Sequence, residues 1–402
     1  MWGWVLEIER VGLTKNIILI SLAVGVLYFG FMLSTSLVLL YLNEFLLLDP
    51  FISGLVLTLA RLCAAIITLP AGSFADRFGR KHPIMFGFFL CSLFLLTTSL
   101  TSNSLIASLC IIIVFSGVAF SGPATSALVS EASVVGRTAL GFGWYYAIYS
   151  LSQFIGQTLS GVVIAQLGYQ MTFLLGSAFS LIALMLIWRF VHERWDKERD
   201  LSPTSFARDF RTGIIQLKGK PELSNLTIGL SLHGLGVTMW LTFIPLYASR
   251  DQGFDPISIG LILSLFSISG AIFQIPFGIV ADKIGGNRIL FLHVLLSSMI
   301  WWVYPLFNSL LLALIYMFLA GIVGSMDFPA RRSLLSFISE EKFATAVGAL
   351  DSLTQVVSSI GPFLAGMLWP LAHWAPFAVS TVINMVGLLT LYKLPKKVAA
   401  TK

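Results

Sequence analysis

Apolar residues run along this chain in stretches of about 20 positions separated by short polar segments, the length needed to cross a hydrocarbon core of roughly 30 Å. Such stretches lie near 17–42, 51–73, 83–101, 104–127, 140–166, 170–190, 223–248, 257–280, 289–307, 309–328, 344–370 and 373–393. Lipid offers backbone groups no partners, so each stretch predicts a helix. The expected fold is an all-α membrane protein with twelve transmembrane helices, and the even count puts both termini on one side. The first sixteen residues lack a basic leader with a cleavage site, so the first stretch reads as a retained span.

Composition agrees. The chain is 57% hydrophobic and 11% charged, against roughly 45–50% and 25% for an ordinary soluble protein. Of the 25 Lys and Arg residues, 23 fall on the side of the termini, counting Arg189 and Lys393 at the very ends of their spans, while Arg250 falls on the opposite side and Arg61 lies deep within a span. By the positive-inside rule both termini are cytoplasmic. The net charge of +6 is then topological, and no nucleic-acid partner is expected. Cys63, Cys91 and Cys110 all fall within spans and read as small buried hydrophobes, with neither disulfide nor zinc-site spacing.

The halves repeat. "DPFISGLVL" from Asp49 returns as "DPISIGLIL" from Asp255, a shift of 206 that also carries Pro70 to Pro276, Gly72 to Gly278, Ala75-Asp76 to Ala281-Asp282 and Pro123 to Pro329. A shift of 205 then carries Gly143 to Gly348, Gly156 to Gly361 and Gly161 to Gly366. We therefore read residues 1–190 as one six-helix bundle, 191–221 as a cytoplasmic linker and 222–402 as a second bundle. Within the linker, "SFARDFRTGIIQL" has the pattern of a short amphipathic helix lying on the membrane. Parallel repeats of this kind build one large class of secondary transporter, with substrate bound between the halves.

"GSFADRFGRK", between spans two and three, resembles the loop signature G-x-x-x-D-R-x-G-R-K of the major facilitator superfamily, and "GIVADKIGGNR" resembles its degenerate second copy. With the twelve spans and central loop, the resemblance covers essentially the whole chain. It implies the major facilitator fold, alternating access, and a gating role for Gly72, Asp76, Arg77, Gly79, Arg80 and Lys81, with Gly278 and Asp282 in the second copy. In the family the Asp and Arg lock the cytoplasmic ends of helices. Span eleven is the neighbour expected for Asp76, and Glu131 the acidic partner expected for Arg80. The alternative is that these charges only enforce topology. Gly286 and Asn287 replace Arg80 and Lys81 in the second copy, so its lock should be weaker.

A charge at bilayer depth costs roughly 2.5–3.5 kcal/mol on insertion scales, so each needs a reason. Arg61 lies 15 residues before Asp76, about 22 Å along a helix, in the outer half of the bilayer. It can bind an anionic substrate, pair with a carboxylate such as Glu44, or snorkel outward. Asp351 lies about 13 Å into span eleven from Lys342 and fits a proton carrier, with pairing inside the bundle as the rival. Gln355 shares its face one turn on. Asp327 reads as a structural partner of Arg331 or Arg332. Tyr149, Gln153 and Gln157 recur at i, i+4 and i+8 of span five and are expected to line the substrate cavity, with helix–helix hydrogen bonding as the alternative. His233, Trp240 and Gln274 are further cavity candidates. Spans five and eleven partly resemble the G-x-x-x-G-P-x-x-G-G signature of drug:proton antiporters. Ser152, Gln157 and Ser160 in one copy, and Val357 and Ala365 in the other, depart from it. Span four lacks the arginine that many proton-coupled members carry.

No HExxH, nucleophile elbow, Walker loop or CxxC pair occurs, so no enzyme activity and no cofactor is expected. The sparse charge and the aromatic and amide candidates favour proton-linked export of a small amphipathic organic compound. Uptake of an anionic metabolite through Arg61 is the second reading, and a non-transporting sensor or scaffold the reading from another class. The expected setting is a monomer in the plasma (inner) membrane, whose partners are the lipid bilayer, a small-molecule substrate and a proton or other coupling ion.

Overall fold

The computed structural model describes residues 14–133, 138–191, 193, 215, 217, 221–327, 329–331 and 343–392. All regular structure among them is helical: α1 (Lys15–Thr35, continued by turns at Val38–Leu40 and Tyr41–Phe45), α2 (Pro50–Phe78), α3 (Lys81–Leu100), α4 (Ser104–Ala132), α5 (Thr138–Leu167), α6 (Tyr169–Phe190), α7 (Pro221–Arg250), α8 (Pro256–Ile284), α9 (Gly286–Ile300, continued by a 3-10 turn Trp301–Leu306), α10 (Leu310–Gly324), α11 (Phe343–Ser358), α12 (Gly361–Leu368) and α13 (Ala375–Leu391). Among the described residues ten helical segments are long and apolar enough to cross a membrane. The predicted eleventh span is divided between α11 and α12, and the twelfth is the shorter apolar α13.

The repeated Asp-Pro has a local cause. Asp49 Oδ1 accepts the N–H of Phe51 at 2.7 Å and Asp255 Oδ1 that of Ser258 at 2.9 Å, while Pro50 and Pro256 open α2 and α8 with φ already helical. Hydrogen bonds from Ser258 hold the Asp255 carboxyl below the usual carboxylate range. Asp255→Ala should lower stability by about 1 kcal/mol near neutral pH. A depressed folded-state pKa stabilises above the unfolded value and loses that contribution as pH falls through the folded one. The gap in thermal midpoint between wild type and Asp255→Ala should therefore close in acid, as followed by circular dichroism in detergent.

The contacts divide the chain into two units, one formed by the described residues of 1–38 and 63–202, the other by those of 39–62 and 203–402. In the first unit α1 packs on α5 and α6, and α3 on α4 and α6. In the second α7 packs on α11, α12 and α13, α8 on α10, and α9 on α13. The duplication appears in the packing itself. Gly156 lies against Phe29, Met32 and Leu33 of α1, and Gly361 against Leu235, Thr238 and Met239, the same three positions moved by 206. Gly72 faces Pro123 in the first unit as Gly278 faces Pro329 in the second.

One repeat is kinked where the other is continuous. Pro362 has no N–H for the carbonyl of Ser358 and its ring clashes there, so the helix breaks between α11 and α12. The freed carbonyl accepts from Thr238 Oγ1 at 2.5 Å, and Thr58 Oγ1 accepts the N–H of Phe363 at 2.9 Å. Both groups need partners because lipid supplies none. At the matching position α5 has Gln157, whose Nε2 reaches Met32 Sδ at 3.8 Å, and α5 runs unbroken.

Candidate functional site

Chemistry-bearing side chains gather at four places. The first is the loop between α2 and α3. Gly79 turns it at φ +84°, a conformation cheap only for glycine, and Gly285 repeats the turn at φ +97° in the second unit. Arg80 precedes α3 but offers it no side-chain cap. Glu193, just past α6, supplies one: Oε1 accepts the N–H of Arg80 at 2.6 Å and Oε2 that of Lys81 at 3.0 Å. Lys81 Nζ donates to the carbonyls of Trp188 (2.8 Å) and Val191 (2.9 Å) at the end of α6. The Arg80 guanidinium forms an ion pair with Glu131 at the end of α4. The motif thus fastens the ends of α3, α4 and α6 within the first unit. The side chains of Asp76, Arg77 and Asp282 lie outside the described residues.

Second is the face of α5 turned to α1. The Tyr149 ring packs edge-on to Tyr28, centroids 4.4 Å apart, and Tyr145 and Tyr146 extend the cluster. Gln153 and Gln157 continue this face, half-buried, and α5 contains no charged residue. Ser152 packs where Gly25 brings α1 close.

Third is the interior of the second unit. Trp240, 1% exposed, donates its indole N–H to Tyr316 at 3.2 Å and stacks on Trp301. His233, 3% exposed, lies between Asn384 of α13 and His293 of α9. Both His233 and Trp240 are packed among protein groups rather than presented on an open face. Nearby, Arg331 pairs with Asp327 and lies 3.7 Å from Asp351, so one guanidinium serves two carboxylates. Gln355 is exposed and Gln274 half-buried.

Fourth is the start of α2 with the ends of α1 and α7. Arg250 bonds to Asn43 Oδ1, Asn43 Nδ2 donates to the Leu48 carbonyl at 2.7 Å, and Ser249 Oγ donates to Glu44 Oε1 at 2.6 Å. Gly54 lies against the Pro362 carbonyl and Gly366 against Pro50 and Phe51. Arg61 is half-buried, and among the described residues no ion pair or hydrogen bond reaches it.

The sequence reading missed Tyr28, Glu193, His293, Trp301 and Asn384. Tyr28 could have been found by pairing the first and fifth spans of the repeat. Glu193 is one acid in a linker of mixed charge, and His293 and Asn384 are lone polar residues in apolar stretches, with no local signal.

Comparison with known proteins places this geometry. The family profile described as Major Facilitator Superfamily matches residues 20–257 and 226–402. Multidrug resistance protein 2 of Bacillus subtilis is 25% identical over 341 residues, covering 83% of this chain and 84% of that protein. Quinolone resistance protein NorA of Staphylococcus aureus is 22% identical over 337 residues, covering 84% and 85%. Among solved structures, the nucleoside transporter NupG superposes with a TM-score of 0.74 at 15% identity, covering 94% of this chain and 99% of NupG. A bacterial homologue of the human lysosomal transporter Spinster gives 0.74 at 13% identity, covering 95% and 97%. The two solved structures support the fold alone.

Proposed function

Given that the chain belongs to the major facilitator superfamily, and is an integral, multi-pass transporter of the membrane, we propose that it exports small amphipathic organic compounds in exchange for protons by alternating access. The observation that carries this reading is the α5 face, where Tyr28, Tyr145, Tyr146 and Tyr149 form an aromatic patch continued by two amides on a helix without charge. Aromatic faces attract planar, weakly hydrated and cationic molecules, and the amides add hydrogen bonds of either polarity. The names of the two relatives that resist drugs support the same direction.

In this reading Arg61, Tyr149, Gln153, Gln157, Gln274 and Gln355 contact substrate, while His233 and Trp240 support it from the packed interior. Twelve spans with cytoplasmic termini, in two bundles joined by the linker, complete the proposal, and the molecule works as a monomer. Gly72, Asp76, Arg77, Gly79, Arg80, Lys81, Glu131, Gly278 and Asp282 form the cytoplasmic gate. Asp351 takes part in proton coupling through the shared Arg331: a proton on Asp351 leaves the guanidinium to Asp327 alone.

The test uses purified protein in liposomes with an imposed pH gradient, following ethidium as an amphipathic cation and benzoate as an organic anion. Gradient-driven ethidium flux, weakened by Tyr149→Ala and lost in Asp351→Asn, is expected. Flux of benzoate alone, lost in Arg61→Gln, would instead establish the second reading, which the unpaired state of Arg61 among the described residues favours.

A further inference from the structure

His233 of α7 and His293 of α9 meet through their Nε2 atoms, 2.9 Å apart, with both rings buried. The other end of each ring fixes where its hydrogen sits. His293 Nδ1 is 2.8 Å from the carbonyl oxygen of Val323, which can only accept, so this nitrogen carries a hydrogen. His233 Nδ1 is 2.8 Å from Asn384 Oδ1. That amide is oriented by its far end, where Nδ2 donates to the Val294 carbonyl at 3.0 Å and to Ser298 Oγ at 2.9 Å. Ser298 uses its own hydrogen on the Val294 carbonyl at 2.9 Å. Reversing the amide would aim its oxygen at two acceptors, so Oδ1 must face the imidazole and His233 Nδ1 also carries a hydrogen.

A neutral imidazole has one N–H. With both Nδ1 atoms protonated, two neutral rings would oppose bare lone pairs at 2.9 Å. One added proton converts that repulsion into an N–H···N hydrogen bond and satisfies the polar atoms from Val323 to Asn384, as buried groups require.

Past the end of α10, Asp327 and Arg331 act on both imidazoles, and Asp351 of α11 meets the same guanidinium. Among the described residues, α13 contributes the neutral Asn384, and α8 and α12 bring no charged side chain to the pair. Trp301 supports the cation, its ring 5.4 Å from that of His233.

We propose that His233 and His293 form a one-proton site in the second unit, the proton held between the two Nε2 atoms, and that this site loads the coupling proton. The coupling role rests on the transport reading above; the proton site does not. Loss of that proton changes the field at Asp327 and Arg331, which links the site to Asp351 through the shared guanidinium.

The deciding measurement is solid-state nitrogen NMR of histidine-labelled protein in liposomes, with His82, His192 and His373 replaced by Gln so that only the pair is seen. At neutral and mildly acidic pH we expect three protonated ring nitrogens and one bare nitrogen, with the two Nε2 atoms coupled through one proton. Two neutral rings, each with a single N–H, would overturn the site. If the triple variant does not fold, the wild type with all five histidines labelled gives the same count by difference against His293→Gln. In flux, His293→Gln should lose the part of ethidium transport that follows the pH gradient and keep downhill exchange. Gradient-driven flux at the wild-type level in that variant sinks the coupling role. Should the wild type move no ethidium under any gradient, the transport reading fails, and the nitrogen spectrum still decides the proton site.

Discussion

Gly156→Leu and Gly361→Leu are expected to destabilise the protein severely and to nearly the same extent, while Gly143→Leu leaves it intact. A Cβ at Gly156 would stand 2.7 Å from the carbonyl oxygen of Phe29, and one at Gly361 would stand 2.8 Å from that of Leu235. Both obstacles are backbone, which cannot rotate aside as a side chain can. Overpacking usually costs 1–3 kcal/mol, and a leucine pressed on a helix backbone should reach the top of that range, about 3 kcal/mol or more. Against a typical total of roughly 5–15 kcal/mol that is enough to abolish a sharp folded peak in detergent for either variant. Gly143 offers the contrast, since a Cβ there meets nothing within 4 Å. The measurement is size-exclusion profile and thermal midpoint for the three proteins side by side. A tolerated Gly361→Leu beside a damaging Gly156→Leu would mean that the two repeats do not share this contact.

Such a paired prediction is possible because the duplication is legible at both levels. The shift of 206 found in glycines, prolines and aspartates returns as matched contacts at Gly72 and Gly278, as matched caps at Asp49 and Asp255, and as matched turns at Gly79 and Gly285. Those residue types report on backbone geometry, which a sequence encodes locally. The break at Pro362 was equally readable, yet one continuous eleventh span was expected across it; a proline inside an apolar run does not tell whether neighbours will take up the freed groups. Here Thr238 and Thr58 do so. Partners distant in sequence were the least legible. His233 is a lone histidine until His293 and Asn384 arrive from 60 and 151 positions away. Helical phase was a further obstacle: Trp240 and Gln355 look alike as candidates, but one is fully buried and the other exposed.

The second large effect is expected at Glu193, a residue outside the signature that nonetheless holds it. Its carboxylate accepts two backbone N–H groups at the start of α3, and hydrogen bonds to a charged group contribute roughly 1.5–3 kcal/mol each before allowance for solvent. Partial exposure reduces this, so Glu193→Ala should cost about 2 kcal/mol, measured as a drop in thermal midpoint. Glu131→Ala removes the ion pair with Arg80, but that carboxylate is 46% exposed, and pairs of this kind are worth about 0–1 kcal/mol. The ranking is therefore Glu193 over Glu131, the reverse of what the signature alone suggests. A functional consequence follows from the position of Glu193, at the first residues of the segment that joins the repeats. Lys81 grips the end of α6 through Trp188 and Val191, so the loop and the root of the linker form one clip. Glu193→Ala should release it and slow gradient-driven flux, whereas Glu193→Gln, which still accepts one of the two bonds, should retain part of both stability and rate. Equal losses in Glu131→Ala and Glu193→Ala would show instead that the guanidinium pair, and not the backbone clip, fixes the loop.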